Sequence, residues 1–153
     1  MLKSAKIMMI IRIMALIVFL APLLQQDCLA EYSNPSTGDD TNVAYWLDLG
    51  GLYAAYGNFS AAVKAYKKAL DLDPDDSAAY FDLSLALCEM GQYEDSFESI
   101  KQAIIRDPQN GHYYYGQAWI LVKAGKVSEA QAIFHHAADL NDPDAIEYLI
   151  SQK

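Results

Sequence analysis

The chain has 153 residues, a length suited to one domain, and just over half of them are apolar, enough to build a core. It carries 11 Lys plus Arg against 20 Asp plus Glu, a formal charge of −9. Phosphate backbones reward clustered cations, so this balance excludes nucleic acid as a partner and favours basic partners.

Lys3, Lys6 and Arg12 make the start of the chain basic, and residues 13–24 form an apolar run broken only by Pro22. Polar Gln25-Gln26-Asp27 then leads to Cys28-Leu29-Ala30. This order predicts a secretory signal peptide over residues 1–30, cut after Ala30. A cut after Ala21 is disfavoured because Pro22 would follow it. The alternative is an uncleaved anchor, with membrane attachment through residues 7–24. Arg12 interrupts that stretch, and a charge in mid-span costs about 3 kcal/mol. Gln26 and Asp27 ahead of Cys28 speak against a bacterial lipoprotein. The expected location is therefore exported, periplasmic or extracytoplasmic, and inner-membrane anchored if the segment is kept. With residues 1–30 removed, Cys88 is the one remaining cysteine. It is expected to be a small packed apolar residue rather than a reactive thiol.

Residues 31–42, EYSNPSTGDDTN, show no apolar periodicity and predict a flexible lead-in. Asp40 or Thr41 is the expected cap of the helix that follows.

From Val43 onward the chain repeats itself every 34 residues. The interval separates Gly57, Gly91 and Gly125, and also Trp46, Tyr80 and Tyr114. It separates Ala69, Ala103 and Ala137, and Pro74 and Pro108. Repetition at this period marks a stack of one small unit. In the first unit Trp46, Leu49, Gly50 and Tyr53 lie on one helical face, and Gly57 ends that helix. A second helix carries Ala62, Tyr66, Ala69 and Leu72, and Asp73-Pro74 stops it. The second unit has Tyr80, Leu83, Ser84 and Leu87, then Ser96, Ile100 and Ala103. The third has Tyr114, Gln117, Ala118 and Leu121, then Ala130, Phe134 and Ala137. The units run over residues 43–76, 77–110 and 111–142. A short capping helix over residues 143–152 starts at Asp142-Pro143, with Ile146 and Leu149 apolar.

Trp46-x-x-Leu49-Gly50-x-x-Tyr53, then Ala62-x-x-x-Tyr66, then Pro74, resembles the tetratricopeptide repeat. The resemblance runs from Val43 to about Asp142 and implies an all-α, right-handed superhelical solenoid of three helix-turn-helix repeats. It departs from the pattern at Gln117, where leucine is usual, and at Pro143, one residue late. Stacked units bury the small residues Gly50, Ser84, Ala118, Ala62, Ser96 and Ala130 where helices cross. The rings of Trp46, Tyr80 and Tyr114 are expected between units.

The family lines its concave surface with the first helix of each unit. Leu47, Gly51 and Ala54 are the stripe to read in the first unit. Phe81, Leu85 and Cys88 follow in the second, and Tyr115, Trp119 and Val122 in the third. Asp82, Glu89, His112 and Lys123 supply the edges. A chaperone-binding subclass holds carboxylate tails with lysines, asparagines and an arginine. Here Leu47, Gly51, Asp82, His112 and Gly116 stand at those positions, so that activity is not expected. The expected role is a scaffold or adaptor binding an unidentified protein or peptide. Its apolar segment would be anchored by Phe81, Leu85, Tyr115 and Trp119. Filling of the groove by the lead-in, or self-association through a second copy, is the alternative.

No catalytic constellation stands out, so no enzyme activity and no cofactor are expected. His135 and His136 are adjacent on a helix and point about 100° apart. His112 and Cys88 do not complete a metal-ligand spacing, so no metal is expected. The acidic clusters at residues 71–76 and 139–142 lack the glycine and final glutamate of a calcium loop. Asn58-Phe59-Ser60 fits a glycosylation sequon, relevant only in a eukaryotic secretory pathway.

Overall fold

A computed structural model describes residues 41–152. The signal peptide or anchor, Cys28, the Asp40 cap and nearly all of the lead-in fall outside the described residues. Among the described residues seven α-helices follow one another: α1 Val43–Ala55, α2 Phe59–Leu72, α3 Ser77–Glu89, α4 Tyr93–Arg106, α5 Gly111–Lys123, α6 Val127–Asp139 and α7 Pro143–Ser151. The starts of α1, α3 and α5 keep the 34-residue interval, and so do those of α2, α4 and α6. Each helix packs on its sequence neighbours, and α3 also meets α5. The result is an all-α stack of helix pairs. Among the described residues no helix is long and apolar enough to cross a membrane.

Two kinds of turn alternate along the stack. Within each pair, Gly57, Gly91 and Gly125 take φ of 73°, 74° and 79°, which glycine adopts without a Cβ penalty. The residue after each glycine donates back to the last turn of the helix, as in Asn58 N–H to Tyr53 O at 2.8 Å. Between pairs the chain instead leaves through an extended Asp73 or Asp107 ahead of proline. Asn42, one residue past Thr41, caps α1: its side chain accepts from Ala44 N–H at 2.9 Å. Asn58, Asp76, Asn110 and Asp142 cap α2, α3, α5 and α7 in the same way.

The core runs along the repeats as three successive clusters. Ala62, Val63 and Tyr66 of the first pack with Leu83, Ala86 and Leu87 of the second. Leu49 and Gly50 are buried too, and the Tyr66 ring occupies the space a side chain on Gly50 would need. At the next crossing Ser84 and Ser96 are fully buried, and Ser96 donates to Ser84 O at 2.7 Å. Ala118 and Ala130 make the third crossing beside fully buried Phe134.

Two expectations about the core are corrected. Trp46 and Tyr114 are only half-buried, while Tyr53 and Tyr80, also half-buried, do pack against the core clusters. Tyr80 lies under the Arg106 guanidinium, 4.4 Å from the ring centroid, and Tyr114 donates to Pro108 O at 3.3 Å. Both rings thus brace turns at the edge. The ring buried between the second and third units is Tyr113, which stacks on Phe81 with centroids 5.1 Å apart. Leu72 is 42% exposed, because α2 ends there and the chain turns away.

The displaced proline of the third unit has a structural cause. Asn141 takes φ 62°, and Asp142 N–H donates to Ala137 O at 3.1 Å. This is the turn used inside the pairs, transplanted to the end of α6. It folds α7 back onto the third unit, where Tyr148 stacks on Phe134 at 4.0 Å and Leu149 packs beside it. Ile146 and Ile150 remain exposed on the outer side.

Candidate functional site

The first helices of the pairs carry the candidate groove, and the structure places its residues unequally. Phe81, Leu85, His112, Tyr115, Gly116 and Trp119 line one hollow of ≈ 160 Å³ between α3 and α5. A void of about 150 Å³ accepts a benzene-sized group, so the hollow suits one aromatic or branched side chain. Phe81 is its floor rather than a free anchor, since the side chain is 9% exposed and packed on Gly116. Tyr115 is half-buried, with its ring 5.7 Å from that of Phe134. Trp119 stands at the mouth, 38% exposed.

The other expected groove residues do not line this hollow. Cys88 is buried in the core with Ile100, Ala103 and Ile120. Burial, followed by Glu89, pushes its thiol above the usual range, which keeps it unreactive. Leu47 packs against the core between the first two repeats, and Val122 against the core of the third. Lys123 marks the edge: its Nζ lies 3.1 Å from Glu89 Oε1. The two are 34 residues apart, so the pair links equivalent positions of neighbouring repeats.

Sequence reasoning missed the end wall of the groove. His112 Nδ1 lies 3.3 Å from Asp142 and 3.6 Å from Asp144. Asp142 is buried and Asp144 exposed, and Asp142 also accepts from Ala145 N–H at 2.8 Å. The approach depends on Gly111, where a Cβ would come within 2.9 Å of the Asp142 Cβ. The three groups offer ligand atoms within 4.8 Å of one another. A period search could not find this contact, because the turn at Asn141 that creates it does not repeat.

The charge along this face is uneven. The first helices carry Asp48 on α1 and Asp82 and Glu89 on α3 against one lysine, Lys123 on α5, which pairs with Glu89. The remaining lysines and Arg106 of the described helices lie on α2 and α4. The Asp82 carboxyl is pushed up to about 6, by burial and by Asp76, with His112 opposing. Burial and Asp82 push the Tyr66 phenol up to about 12. A carboxyl raised in this way is one that no strong cation has neutralised.

Comparison with known proteins agrees with this architecture. Family models described as TPR repeat and tetratricopeptide repeat match residues 50–91 and 81–146. Among solved structures, MamA matches with a TM-score of 0.65 at 21% identity, over 73% of this chain and 66% of MamA. YrrB, described as a TPR protein with an unusual peptide-binding site, matches at 0.59 and 22% identity, over 70% of this chain and 56% of YrrB. The TPR domain of Arabidopsis OM64 matches at 0.61 and 20% identity, over 67% of this chain and 87% of that domain. The chain thus spans about two thirds of MamA's length and less of YrrB's. No curated protein sequence matches it. Identities this low show the shared fold, and the two family models add the repeat itself. The chain belongs to the tetratricopeptide-repeat family.

Proposed function

We propose that this chain is an exported interaction scaffold that takes an apolar helix or extended segment of a partner protein in its concave groove. Tetratricopeptide-repeat proteins act in general as protein–protein scaffolds, which supplies the class. The observation that carries the finer reading is the hollow between α3 and α5, with 38%-exposed Trp119 at its mouth. An indole left half in water beside an apolar hollow gains by being covered. Aromatic anchors of this kind cost about 2 kcal/mol or more when truncated in an interface. The sequence pattern of residues 1–30 supports export, and a retained segment would make the same module a membrane-anchored accessory factor. N-terminal sequencing separates these: a start at Glu31 supports cleavage, and a start at Met1 supports the anchor.

The test is capture of partners from envelope extract by the full, C-terminally tagged chain and by its Trp119→Ala variant. A partner held by the first and lost by the second supports the reading. A set of partners unchanged by the variant overturns it. Self-association has its own motive in Ile146 and Ile150, exposed together on α7. Ultracentrifugation of an Ile146→Asp, Ile150→Asp double variant tests it, and an unchanged sedimentation coefficient would dismiss it.

A further inference from the structure

The groove repeats its positions every 34 residues, and its charges can be read across that interval. Glu89 on α3 is answered one repeat later by Lys123 on α5, at 3.1 Å. Asp82, two turns earlier on the same helix, has Gly116 as its counterpart on α5. Gly116 has no side chain, and the space a Cβ would take is filled by the Phe81 ring. One repeat earlier the equivalent residue is Asp48, another acid. Among the described residues no lysine, arginine or histidine forms an ion pair with Asp82. His112 is the group that opposes the rise at Asp82, and its Nδ1 already lies against both Asp142 and Asp144. The concave face therefore holds a complete charge pair at Glu89 and half of one at Asp82.

Asp82 is also well placed relative to the hollow. It lies next to Phe81, the floor, and three residues before Leu85, another lining residue. Three residues of helix advance by about 4.5 Å, and an extended peptide advances by about 3.3 Å per residue. A partner side chain seated in the hollow would bring its neighbours one or two residues away over Asp82.

We propose that the groove selects a segment carrying lysine or arginine one or two residues from its apolar anchor, with the cation pairing to Asp82. The site would then be the charge inverse of a carboxylate clamp. An acidic tail would meet Asp82 with no cation to receive it. The half-buried setting of Asp82 strengthens such a pair relative to one in open water. The raised Asp82 carboxyl fits a group whose cation arrives from outside. This inference rests on the groove reading above and adds the chemistry of its ligand.

The test pans a random linear peptide library displayed on phage against the immobilised full chain. The enriched peptide is then synthesised with its lysine and with norleucine in its place, which keeps the stem and removes the charge. Fluorescence anisotropy gives affinities for the wild type and for Asp82→Asn, Asp48→Asn and Trp119→Ala. The expected enrichment is Lys or Arg beside an aromatic or branched residue. The norleucine peptide should bind the wild type about tenfold more weakly, a difference of about 1.4 kcal/mol. That ratio should collapse toward one in Asp82→Asn and persist in Asp48→Asn. The norleucine comparison on the wild type needs no folded variant. Peptides that depend on Trp119 but carry no cation, or bind equally well as norleucine, overturn this inference and leave the groove reading standing. No enrichment, or binding indifferent to Trp119→Ala, overturns both.

Discussion

The Phe81 ring lies where a side chain on residue 116 would be: a Cβ on Gly116 would approach Phe81 Cε2 to 2.6 Å. This contact joins the second and third repeats and shapes the floor of the hollow. Phe81 is buried and stacked on Tyr113, so the ring cannot swing away freely. Gly116→Ala should therefore cost about 1–3 kcal/mol in overpacking, offset by about 1 kcal/mol of better helix propensity. Urea denaturation should show a net loss on the order of 1 kcal/mol. A gain in stability would mean that Phe81 does not rest on Gly116.

The C-terminal helix closes the stack through one aromatic pair. Tyr148 stacks on fully buried Phe134 with centroids 4.0 Å apart and 29° between planes. Tyr148→Ala uncovers Phe134 and should cost about 2–4 kcal/mol. Tyr148→Phe keeps the stack and should stay within about 0.5 kcal/mol of the wild type. Equal stability of the alanine variant would show that α7 does not cap the core.

Asn141 can be tested by its backbone alone. At φ 62° it adopts the left-handed conformation that glycine takes at the other helix-ending turns. Asn141→Gly should match or slightly exceed wild-type stability, while Asn141→Val should lose about 1–2 kcal/mol. Thermal melts of the two variants decide this. Identical melting temperatures would contradict the transplanted turn.

Asp82 makes stability depend on pH in a defined direction. Its carboxyl is raised in the folded protein from 3.8 to about 6, so the fold disfavours the charged form. The folded state holds the proton more tightly, and stability falls as pH rises from about 4 to about 6. Asp82→Asn removes that penalty. The variant should be more stable than wild type at about pH 8, with the gain fading toward about pH 4. A gain of equal size at both pH values, or a loss at the higher one, would contradict the burial of an uncompensated charge.

The period made most of the fold legible, because packing small against large residues must recur wherever helix pairs stack. Gly50, Ala62, Tyr66, Leu83 and Phe134 are buried for that reason. What repeats only approximately was harder to read. In Tyr113-Tyr114-Tyr115 three equivalent rings occupy successive positions, and periodicity alone assigned Tyr114 to the core where Tyr113 is the buried one. Phe81 shares a stripe with Tyr115 but sinks, because Gly116 on the facing helix leaves room for it. Cys88 sinks with it into the same core cluster. The pairing of His112 with Asp142 and Asp144 follows from a turn that stands only here after the second helix of a pair. It could be suspected only from Asn141 and the late proline.

The central claim is that partner binding covers Trp119. The chain has 2 tryptophans, so an ¹⁵N-labelled sample yields two indole signals, assigned with a Trp119→Phe variant. Titration with the lysine-bearing peptide selected above should shift the Trp119 indole along the binding curve and leave Trp46 unmoved. Trp119→Ala should then weaken binding by about 30-fold or more. Saturable binding with the Trp119 indole unmoved and affinity unchanged in the alanine variant would contradict the account.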